Sequence, residues 1–301
     1  MRVTLIHNRG AGDEDHSEEQ QLKTLVRAAG HELHYADNPE DWTAALDRPT
    51  DLVAVAGGDG TVGRMAKRLI GRNLPLAPLP LGTANNISRT LGLADLRLEE
   101  IVHGWESARR VRFDVGIARG PWGSRYFVEG MGVGLFACSI PVADESEQLA
   151  SLADAAARVD YALTMLRRRL DNCDSHALKL KLDSRDVSGD YVLFEAMNME
   201  FVGPNLYLAP EVEPADGLLD VVLVSKAERD KLHDSLATWQ QGELDHPRLS
   251  RHRARVIELE WTGFEVHFDD EAWPAEDQEP PALTHIEVTV ERDALKFVAP
   301  A

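Results

Sequence analysis

Residues 51–62 read Asp-Leu-Val-Ala-Val-Ala-Gly-Gly-Asp-Gly-Thr-Val. An apolar run with β-branched residues that stops at glycines is typical of a buried parallel strand entering a turn. The glycines let the backbone approach a ligand closely and adopt positive φ. A helix is predicted to follow from Val62 to Leu69, so that its backbone N–H groups and the positive end of its dipole face the turn. The stretch therefore predicts an anion-binding turn.

The residues before this stretch alternate short strands with helices. Strands are predicted at residues 3–7, 31–35 and 52–56, and helices at residues 17–29 and 41–46. A second glycine-rich turn follows the first strand at residues 8–12, which read Asn-Arg-Gly-Ala-Gly. Alternating strands and helices indicate an α/β domain with a parallel sheet, whose ligands bind at the carboxyl ends of the strands. Both glycine turns are therefore expected at one edge of the sheet.

The residues after the stretch repeat this pattern. Residues 76–80 are predicted as a rigid strand, and residues 81–92 place a glycine, a hydroxyl and two amides before another helix. Thr83 and Asn85 could serve only as caps of that helix. Because each of the two glycine and hydroxyl turns follows a strand, ligand binding is the favoured interpretation.

The second half of the chain has a different period. From about Val115 onward apolar and polar residues alternate, which predicts antiparallel strands. These strands are predicted at residues 177–183, 190–196, 218–225, 255–260, 264–269 and 286–290. One long helix is predicted over residues 147–170, and residues 275–281 form an acidic, proline-rich loop. We therefore expect two domains: residues 1–114, to which residues 291–301 return, form an α/β domain with a parallel sheet, and residues 115–290 form a mostly antiparallel β domain.

Composition excludes some partners. The 301 residues carry a formal net charge of −19, which argues against nucleic acid as the main partner because phosphate binding depends on Lys and Arg. The charge also argues against broad attraction to an anionic membrane, although the arginines of residues 167–169 and 248–255 could touch one locally or simply be solvated. The two cysteines lack metal-type spacing, which favours a reducing compartment. With no signal-peptide pattern and no apolar run near ~18 residues, we expect a cytoplasmic protein.

Two of these turns carry a family resemblance. Residues 57–61 (Gly-Gly-Asp-Gly-Thr) and 80–86 (Pro-Leu-Gly-Thr-Ala-Asn-Asn) together resemble the diacylglycerol kinase catalytic-domain family, which includes soluble bacterial lipid kinases and sphingosine and ceramide kinases. Further similar segments lie at residues 8–12, 127–136 (Phe-Val-Glu-Gly-Met-Gly-Val-Gly-Leu-Phe), 208–220 and 268–271. NAD kinases and 6-phosphofructokinases carry turns like the first one, but its combination with the second is specific to the lipid kinases. The resemblance covers nearly the whole chain.

The resemblance implies an NAD-kinase- and phosphofructokinase-like nucleotide domain and an ATP- and Mg²⁺-dependent lipid kinase. Its acceptor would be the hydroxyl of diacylglycerol or a related lipid alcohol at a membrane surface, reached by a cytoplasmic, peripherally associated enzyme. Phosphoryl transfer needs backbone donors around the phosphates. The residues expected to hold the nucleotide are Asn8, Gly10, Gly12, Gly57, Gly58, Gly60, Thr61, Gly82, Thr83 and Asn85.

Acidic residues are the candidates for Mg²⁺. Asp59 and Asp114 would act through water, since Mg²⁺ keeps part of its hydration shell. Asp114 lies inside an apolar strand and could equally be structural. Glu213, Asp216 and Leu218 match a structural magnesium loop of the family, for which an ordinary turn is the alternative.

The general base is expected to be Asp269 or Glu271, with Asp59 as a further catalytic carboxylate. Residues 269–271 are three successive acids, whose mutual repulsion suits a base but equally describes an exposed acidic turn. In the resembled family an Asp-Gly-Glu sequence carries the base, which favours the functional interpretation.

Three residues depart from the family pattern. Arg64 stands where the family has glutamate, Asn86 where it has aspartate, and Asp270 where it has glycine. A bulkier Asp270 could disturb its turn, and Arg64 could contact phosphate directly. These departures leave open a nucleotide- or lipid-binding member with weak or no kinase activity. An NAD-kinase-like kinase of a soluble acceptor also stays open, as does a homodimer.

Overall fold

The computed structural model describes residues 1–9, 16–241, 249–261, 265–274 and 283–301. The chain divides into two compact units. The N-terminal unit comprises Met1–Phe113 and Asp293–Ala301, and the C-terminal unit comprises Asp114–Arg292. The predicted fold class, a parallel-sheet α/β domain followed by a mostly antiparallel β domain, is confirmed.

The N-terminal unit alternates strands and helices. Its elements are β1 (Arg2–His7), α1 (His16–Ala28), β2 (Glu32–Ala36), α2 (Trp42–Ala45), β3 (Leu52–Gly57), α3 (Asp59–Leu69), β4 (Pro75–Pro80), α4 (Asn86–Thr90), α5 (Leu98–Gly104) and the first part of β5 (Arg109–Gly120). Parallel pairing joins β1 to both β2 and β3, and β3 to β4. Every residue of β3 is buried, as expected for a parallel strand covered on both faces.

The C-terminal unit is built from short strands and three longer helices. After β5 come β6 (Gly123–Phe127), β7 (Gly130–Gly134), α6 (Leu135–Asp144), α7 (Glu147–Ser151), α8 (Ala155–Asn172), β8 (His176–Leu182), β9 (Arg185–Asp186), β10 (Gly189–Met197), β11 (Phe201–Val202), β12 (Leu206–Tyr207), β13 (Leu219–Ser225), α9 (Arg229–Gln240), β14 (Ser250–Ala254), β15 (Val256–Trp261), β16 (Val266–Phe268), β17 (Glu271–Trp273) and β18 (Thr284–Ala299). The last residues of β18 belong to the N-terminal unit, where Lys296 and Phe297 pair in parallel with β4.

Strands β10 and β13 pair antiparallel at the centre of the C-terminal unit. Because successive side chains of a strand point to opposite faces, each of them serves two apolar clusters. Phe194 and Val221 belong to a cluster between strands, whereas Leu193 and Val222 belong to a cluster with α6, α8 and α9. Burial on both faces explains why both strands are apolar along most of their length.

Some predicted boundaries are wrong for identifiable reasons. The helix predicted over residues 147–170 is two helices, because Ser146 and Asp154 each cap a separate start by accepting the backbone N–H three residues later. The helix predicted to begin at Val62 begins at Asp59, so the glycine turn is already its first turn. The strand predicted at residues 286–290 is part of the longer strand β18, which continues to Ala299 in the returning residues. No described helix combines the length and the apolar character needed to cross a membrane.

Candidate functional site

Two glycine turns of the N-terminal unit meet backbone to backbone. They follow β3 and β4, and the Leu81 N–H donates to the Gly57 carbonyl at 3.2 Å. A Cβ atom added to Gly82 would lie 2.2 Å from the Gly58 Cα atom, which is far inside van der Waals contact. The sequence uses glycine at both positions because no side chain fits between the turns. The turns after β3 and β4 therefore lie together at one edge of the sheet.

The carboxylate of Asp59 joins α3 to α4. One of its oxygens accepts the Asn86 N–H and the other accepts the Ile87 N–H, both at 2.9 Å. These are backbone donors of the first turn of α4, which have no partner inside the helix. Asp59, predicted as a catalytic carboxylate, thus acts here as the cap of the neighbouring helix. Because Mg²⁺ keeps part of its hydration shell, any ion near Asp59 would be held through water.

The side chain of Asn85 braces its own turn. Its Oδ1 accepts the Gly82 N–H at 3.0 Å and its Nδ2 donates to the Gly82 carbonyl at 2.8 Å. Asn85 has φ of 54°, a left-handed conformation that asparagine tolerates better than most residues. The alternative that Asn85 merely caps the following helix is wrong, since its side chain makes no cap hydrogen bond.

Asn8 connects the turn after β1 to the turn after β3. Its Nδ2 donates to Thr61 Oγ1 at 2.8 Å, and its backbone N–H donates to the Ala56 carbonyl at 3.0 Å. Gly60 lies in the first turn of α3, and Thr83 lies beside Gly82, both partly exposed. Gly10 and Gly12, also predicted to hold the nucleotide, lie outside the described residues.

The geometry of these turns suits a polyphosphate. The helix α3 runs for 11 residues from Asp59, and its N-terminus carries backbone N–H groups and the positive end of the helix dipole. The glycines leave the backbone uncovered there, so its N–H groups can donate to an anion. Arg64 points elsewhere: its guanidinium lies 5.9 Å from the ring centroid of the buried Trp42. Arg64, which stands where the family has glutamate, is therefore engaged in a cation–π contact with Trp42.

Gly82→Ala should destabilise the N-terminal unit by about 1–3 kcal/mol and weaken ATP binding, because the added Cβ meets the backbone of Gly58. Urea unfolding and calorimetric titration with ATP measure the two effects. Gly104→Ala is the matched control, since Gly104 ends α5 and its added Cβ meets nothing within 4 Å. We expect the control to stay within about 1 kcal/mol of wild type. Equal behaviour of the two variants would contradict the packing of the two turns.

In the C-terminal unit, Asp114 is buried and fastens the turn of residues 213–218. Its Oδ2 accepts the Gly217 N–H at 2.7 Å, and its backbone N–H donates to the Pro214 carbonyl at 2.7 Å. The Asn198 Nδ2 donates to the Asp114 carbonyl at 2.7 Å. Its neighbours on the strand are apolar, so the hydrogen bonds to this turn are what stabilise the buried carboxylate.

The predicted structural magnesium loop is a salt-bridged turn in this chain. Asp216 Oδ1 accepts the Leu218 N–H at 2.9 Å, the Glu213 carbonyl accepts the Asp216 N–H at 3.3 Å, and the Asp216 carboxylate pairs with Arg253. The structure therefore brings Asp114, Glu213, Asp216 and Leu218 together. Asp216 Oδ1, however, already accepts a backbone N–H, and the charge of Asp216 is met by a guanidinium. The Asp216 carboxylate, engaged in this way, does not fit as a Mg²⁺ ligand, and across the described ranges no three acidic, histidine or cysteine side chains cluster for a metal.

Asp269 is held firmly in the turn between β16 and β17. Its Oδ1 accepts the Val128 N–H at 2.9 Å and the Glu129 N–H at 2.8 Å, while its own N–H donates to the Gly130 carbonyl at 2.8 Å. Asp269 has φ of 54°, which aspartate tolerates. Because the left-handed residue is Asp269 and Asp270 is not among the positive-φ residues, Asp270 can replace the family glycine without backbone strain.

Glu271 is the less constrained candidate for the base. Its side chain is 63% exposed and lies 3.7 Å from an Arg125 guanidinium nitrogen. An exposed ion pair of this length contributes little energy. The two candidates therefore differ: several hydrogen bonds orient Asp269, whereas Glu271 is exposed and has one long ion pair.

A buried pair that the sequence did not predict lies next to Asp269. His267 and Glu195 are both buried, with 2.8 Å between His267 Nε2 and Glu195 Oε2. The other ring nitrogen, Nδ1, lies 3.0 Å from the Asp269 carbonyl oxygen. Two glycines of β7 make the space, because a Cβ added to Gly132 would lie 2.1 Å from Glu195 Oε2 and one on Gly130 would lie 2.5 Å from Oε1. A single acid inside the apolar run 192–197 was the available signal for this pair.

The hydrogen bonds fix the number of protons that the pair holds. A carbonyl only accepts, so His267 Nδ1 must donate to Asp269. One further proton then lies between His267 Nε2 and Glu195. Burial raises the pKa of Glu195, although the facing histidine partly opposes this. Burial would lower the pKa of His267, but the charge and the hydrogen bond of Glu195 outweigh it and raise that pKa.

Both shifts have the same consequence for stability. Groups whose pKa is raised in the folded state bind protons more tightly there, so their contribution is complete below the unfolded pKa and is lost as pH rises. We expect the free energy of unfolding to fall above pH ~6.5, by at most about 1.4 kcal/mol per pH unit. Urea unfolding at several values between about pH 6 and pH 9, a range that starts near the ordinary pKa of histidine, measures the slope. Glu195→Gln should flatten this slope, because a neutral His267 beside an amide holds no proton above pH ~6.5 that the unfolded chain lacks, and an unchanged slope in the variant would contradict the assignment.

Both units are similar to domains of known proteins. Residues 2–118 match the diacylglycerol kinase catalytic domain, and residues 142–296 match the YegS C-terminal NAD kinase beta sandwich-like domain. The diacylglycerol kinase of Mycobacterium tuberculosis strain H37Rv is 28% identical over 276 residues, covering 87% of this chain and 84% of that protein. The protein named "Probable lipid kinase YegS-like" of Pseudomonas aeruginosa strain UCBPP-PA14 is 30% identical over 232 residues, covering 74% of this chain and 71% of that protein. The crystal structure of a diacylglycerol kinase from Bacillus anthracis strain Sterne has the same fold, with a TM-score of 0.72 at 22% identity over 99% of this chain and 96% of that one.

Proposed function

The chain belongs to the diacylglycerol kinase catalytic-domain family of lipid kinases, and from this premise we propose that it transfers the γ-phosphate of ATP to the hydroxyl of diacylglycerol or a related lipid alcohol. The observation that carries the proposal is the contact of the two glycine turns at the N-terminus of α3. Gly58 and Gly82 leave only backbone at this point, which is the surface that a polyphosphate needs. The arrangement supports ATP as the phosphoryl donor.

The nucleotide residues have separate tasks in this proposal. The N-terminus of α3 binds phosphate oxygens, Asn8 holds the Thr61 hydroxyl in place, and Asp59 keeps the start of α4 beside the turn. When bound, Mg²⁺ supplies positive charge to the phosphate oxygens. Asp59 would hold the ion through water, for the reason given above. The turn of residues 213–218 is not assigned to metal, because Arg253 already supplies its positive charge.

We assign the general base to Asp269. A base must be held where it can reach the proton of the acceptor hydroxyl. The N–H groups of Val128 and Glu129 orient this carboxylate, and His267 fixes its backbone carbonyl. In the transfer step Asp269 takes the hydroxyl proton, the hydroxyl oxygen bonds to the γ-phosphorus, and the bond from that phosphorus to the bridging oxygen breaks to release ADP.

Two arginine clusters could have been a membrane-binding surface, but the described contacts give several of these residues other roles. Arg251 pairs with Asp220 at 2.6 Å, and Arg253 pairs with Asp216. Arg167 donates to Gln240 at 3.1 Å. The proposed peripheral association with a membrane therefore rests on the lipid acceptor and not on these arginines.

The test is transfer of labelled γ-phosphate from ATP to a panel of acceptors. Diacylglycerol, monoacylglycerol, sphingosine and ceramide are presented in mixed micelles with Mg²⁺, and NAD is offered in solution as the acceptor of the competing kinase class. Labelled lipid phosphate, absent when EDTA removes Mg²⁺, is the expected result. Transfer to NAD alone would overturn the proposal. Binding of ATP without transfer to any acceptor would instead support the nucleotide-binding member without kinase activity.

A further inference from the structure

The two cysteines of the chain lie side by side in the C-terminal unit. They are 35 residues apart in sequence, with 3.6 Å between their Sγ atoms. Cys138 lies in α6 and is partly exposed, whereas Cys173 follows the last residue of α8 and is buried. Neither belongs to the nucleotide turns or to the surroundings of Asp269. A distance of 3.6 Å is a contact between two thiols that side-chain rotation can close to a bond.

A guanidinium lies in direct contact with the Cys138 sulfur. The Arg169 Nε lies 3.4 Å from Cys138 Sγ. Arg229, on α9, donates to the backbone carbonyls of Leu170 and Cys173 at 2.7 Å and 2.5 Å, which fixes the end of α8 below Cys173. Cys173 Sγ lies 3.5 Å from the backbone carbonyl oxygen of Asp174, and the negative charge of Glu265 acts on Arg169. The geometry stabilises a thiolate at Cys138.

The two thiols are shifted in opposite directions. The Cys173 hydrogen bond and the Arg169 guanidinium lower the pKa of Cys138 to about 6, although burial opposes them. The hydrogen bond to Cys138 and burial raise the pKa of Cys173. When protonated, Cys138 can donate to the Leu135 carbonyl at 3.3 Å; when ionised, it accepts from Cys173 and Arg169. A partly exposed thiolate beside a protonated partner is the arrangement of a peroxide-reactive cysteine and its resolving cysteine.

We propose that Cys138 and Cys173 are a reversible oxidation site, at which a peroxide oxidises Cys138 and Cys173 then closes a disulfide. In the first step the Cys138 thiolate attacks hydrogen peroxide, an S–O bond forms, the O–O bond breaks and hydroxide leaves. In the second step the Cys173 sulfur attacks the Cys138 sulfenic acid and the S–S bond forms. The S–O bond breaks, and the leaving hydroxide combines with the Cys173 proton to form water. The sulfurs are oxidised and the peroxide oxygens are reduced.

The disulfide would join α6 to the end of α8. Both helices contribute to the apolar cluster behind β10, through Leu135 and Phe136 on α6 and Leu166 and Leu170 on α8. The sulfurs need only approach to about 2.05 Å, so the packing of these helices can be retained. We therefore expect the oxidised protein to stay folded and to melt at a higher temperature than the reduced protein. A thiol reductant should reverse both changes.

The full-length protein, reduced and then freed of reductant, is treated with hydrogen peroxide at neutral pH. Intact mass should fall by two hydrogen atoms, and a peptide map should contain one linked pair with both cysteines. In Cys173→Ser, Cys138 should instead be trapped as sulfenic acid by dimedone, while in Cys138→Ser the remaining thiol should react slowly. The pH at which iodoacetamide alkylates Cys138 at half its maximal rate should lie near 6 and rise by roughly one unit in Arg169→Gln.

Three results would overturn the proposal: a folded, peroxide-treated protein without the linked peptide, a faster reaction at Cys173 than at Cys138, or an alkylation midpoint that Arg169→Gln leaves unchanged. The urea-unfolded protein is the control for accessibility, since both thiols should then react alike. None of these measurements depends on phosphoryl transfer, so the outcome is independent of the proposed kinase activity.

Discussion

Asp269→Asn should reduce the rate of phosphoryl transfer by about 10²–10⁴-fold, the range that a general base contributes. Asparagine has the shape of aspartate, and its side-chain oxygen can still accept the N–H groups of Val128 and Glu129. The turn should therefore persist, while the amide cannot remove a proton from the acceptor. The loss should appear in kcat, because ATP binding is assigned to residues of the other unit. Steady-state transfer assays together with urea unfolding separate loss of chemistry from loss of fold.

Its neighbours provide matched controls within the same acidic turn. Asp270→Asn and Glu271→Gln remove one charge each from exposed positions, and we expect each to change transfer by less than about tenfold. If Glu271→Gln abolishes transfer and Asp269→Asn does not, then Glu271 is the base and the hydrogen bonds to Asp269 are only structural. If all three variants lose activity alike, the summed charge of the turn matters more than any single carboxylate.

The fold was predictable where local patterns and global structure agree. The buried strand at residues 52–57 and the glycines after it encode their role locally, through β-branched residues and the absence of side chains. The change from a parallel to an antiparallel sheet follows from the sequence, because apolar and polar residues begin to alternate strictly in the second half of the chain. The predicted position of the turns after β1 and β3 at one edge needed only the rule that parallel strands end there, and the hydrogen bond from Asn8 to Thr61 agrees with it.

The pairings of charged side chains were not predictable, because they join residues distant in sequence. Asp216 is an ordinary turn acid until β14 brings Arg253 beside it, and no spacing rule connects the two. Asp59 looks like a free carboxylate in a glycine turn, yet it caps a helix 27 residues further on. Both contacts change the chemistry. Arg253 supplies positive charge where a metal ion was expected, and the backbone N–H groups of Asn86 and Ile87 bind both oxygens of Asp59.

His267→Ala should lower the free energy of unfolding by about 3–5 kcal/mol, the cost of leaving a buried charge without its partner. Glu195 is fully enclosed, and Oε2 has His267 as its hydrogen-bond partner. The neighbouring strand cannot supply a substitute, because Gly130 and Gly132 face the carboxylate with no side chain. The variant must either bury an unpaired carboxylate or bind a proton. Urea unfolding at pH 7, compared with wild type, measures the loss.

A double variant distinguishes the unpaired charge from the cavity that alanine leaves. Adding Glu195→Leu to His267→Ala removes the carboxylate while keeping a side chain of similar length, so the double variant should be more stable than His267→Ala alone. Glu195→Gln by itself should cost little, since its amide can donate to Nε2 of a neutral His267 while Nδ1 still donates to the Asp269 carbonyl. If the double variant is the least stable of the three, packing and not charge dominates this site. In that case the proton shared by Glu195 and His267 contributes little to holding the backbone of Asp269.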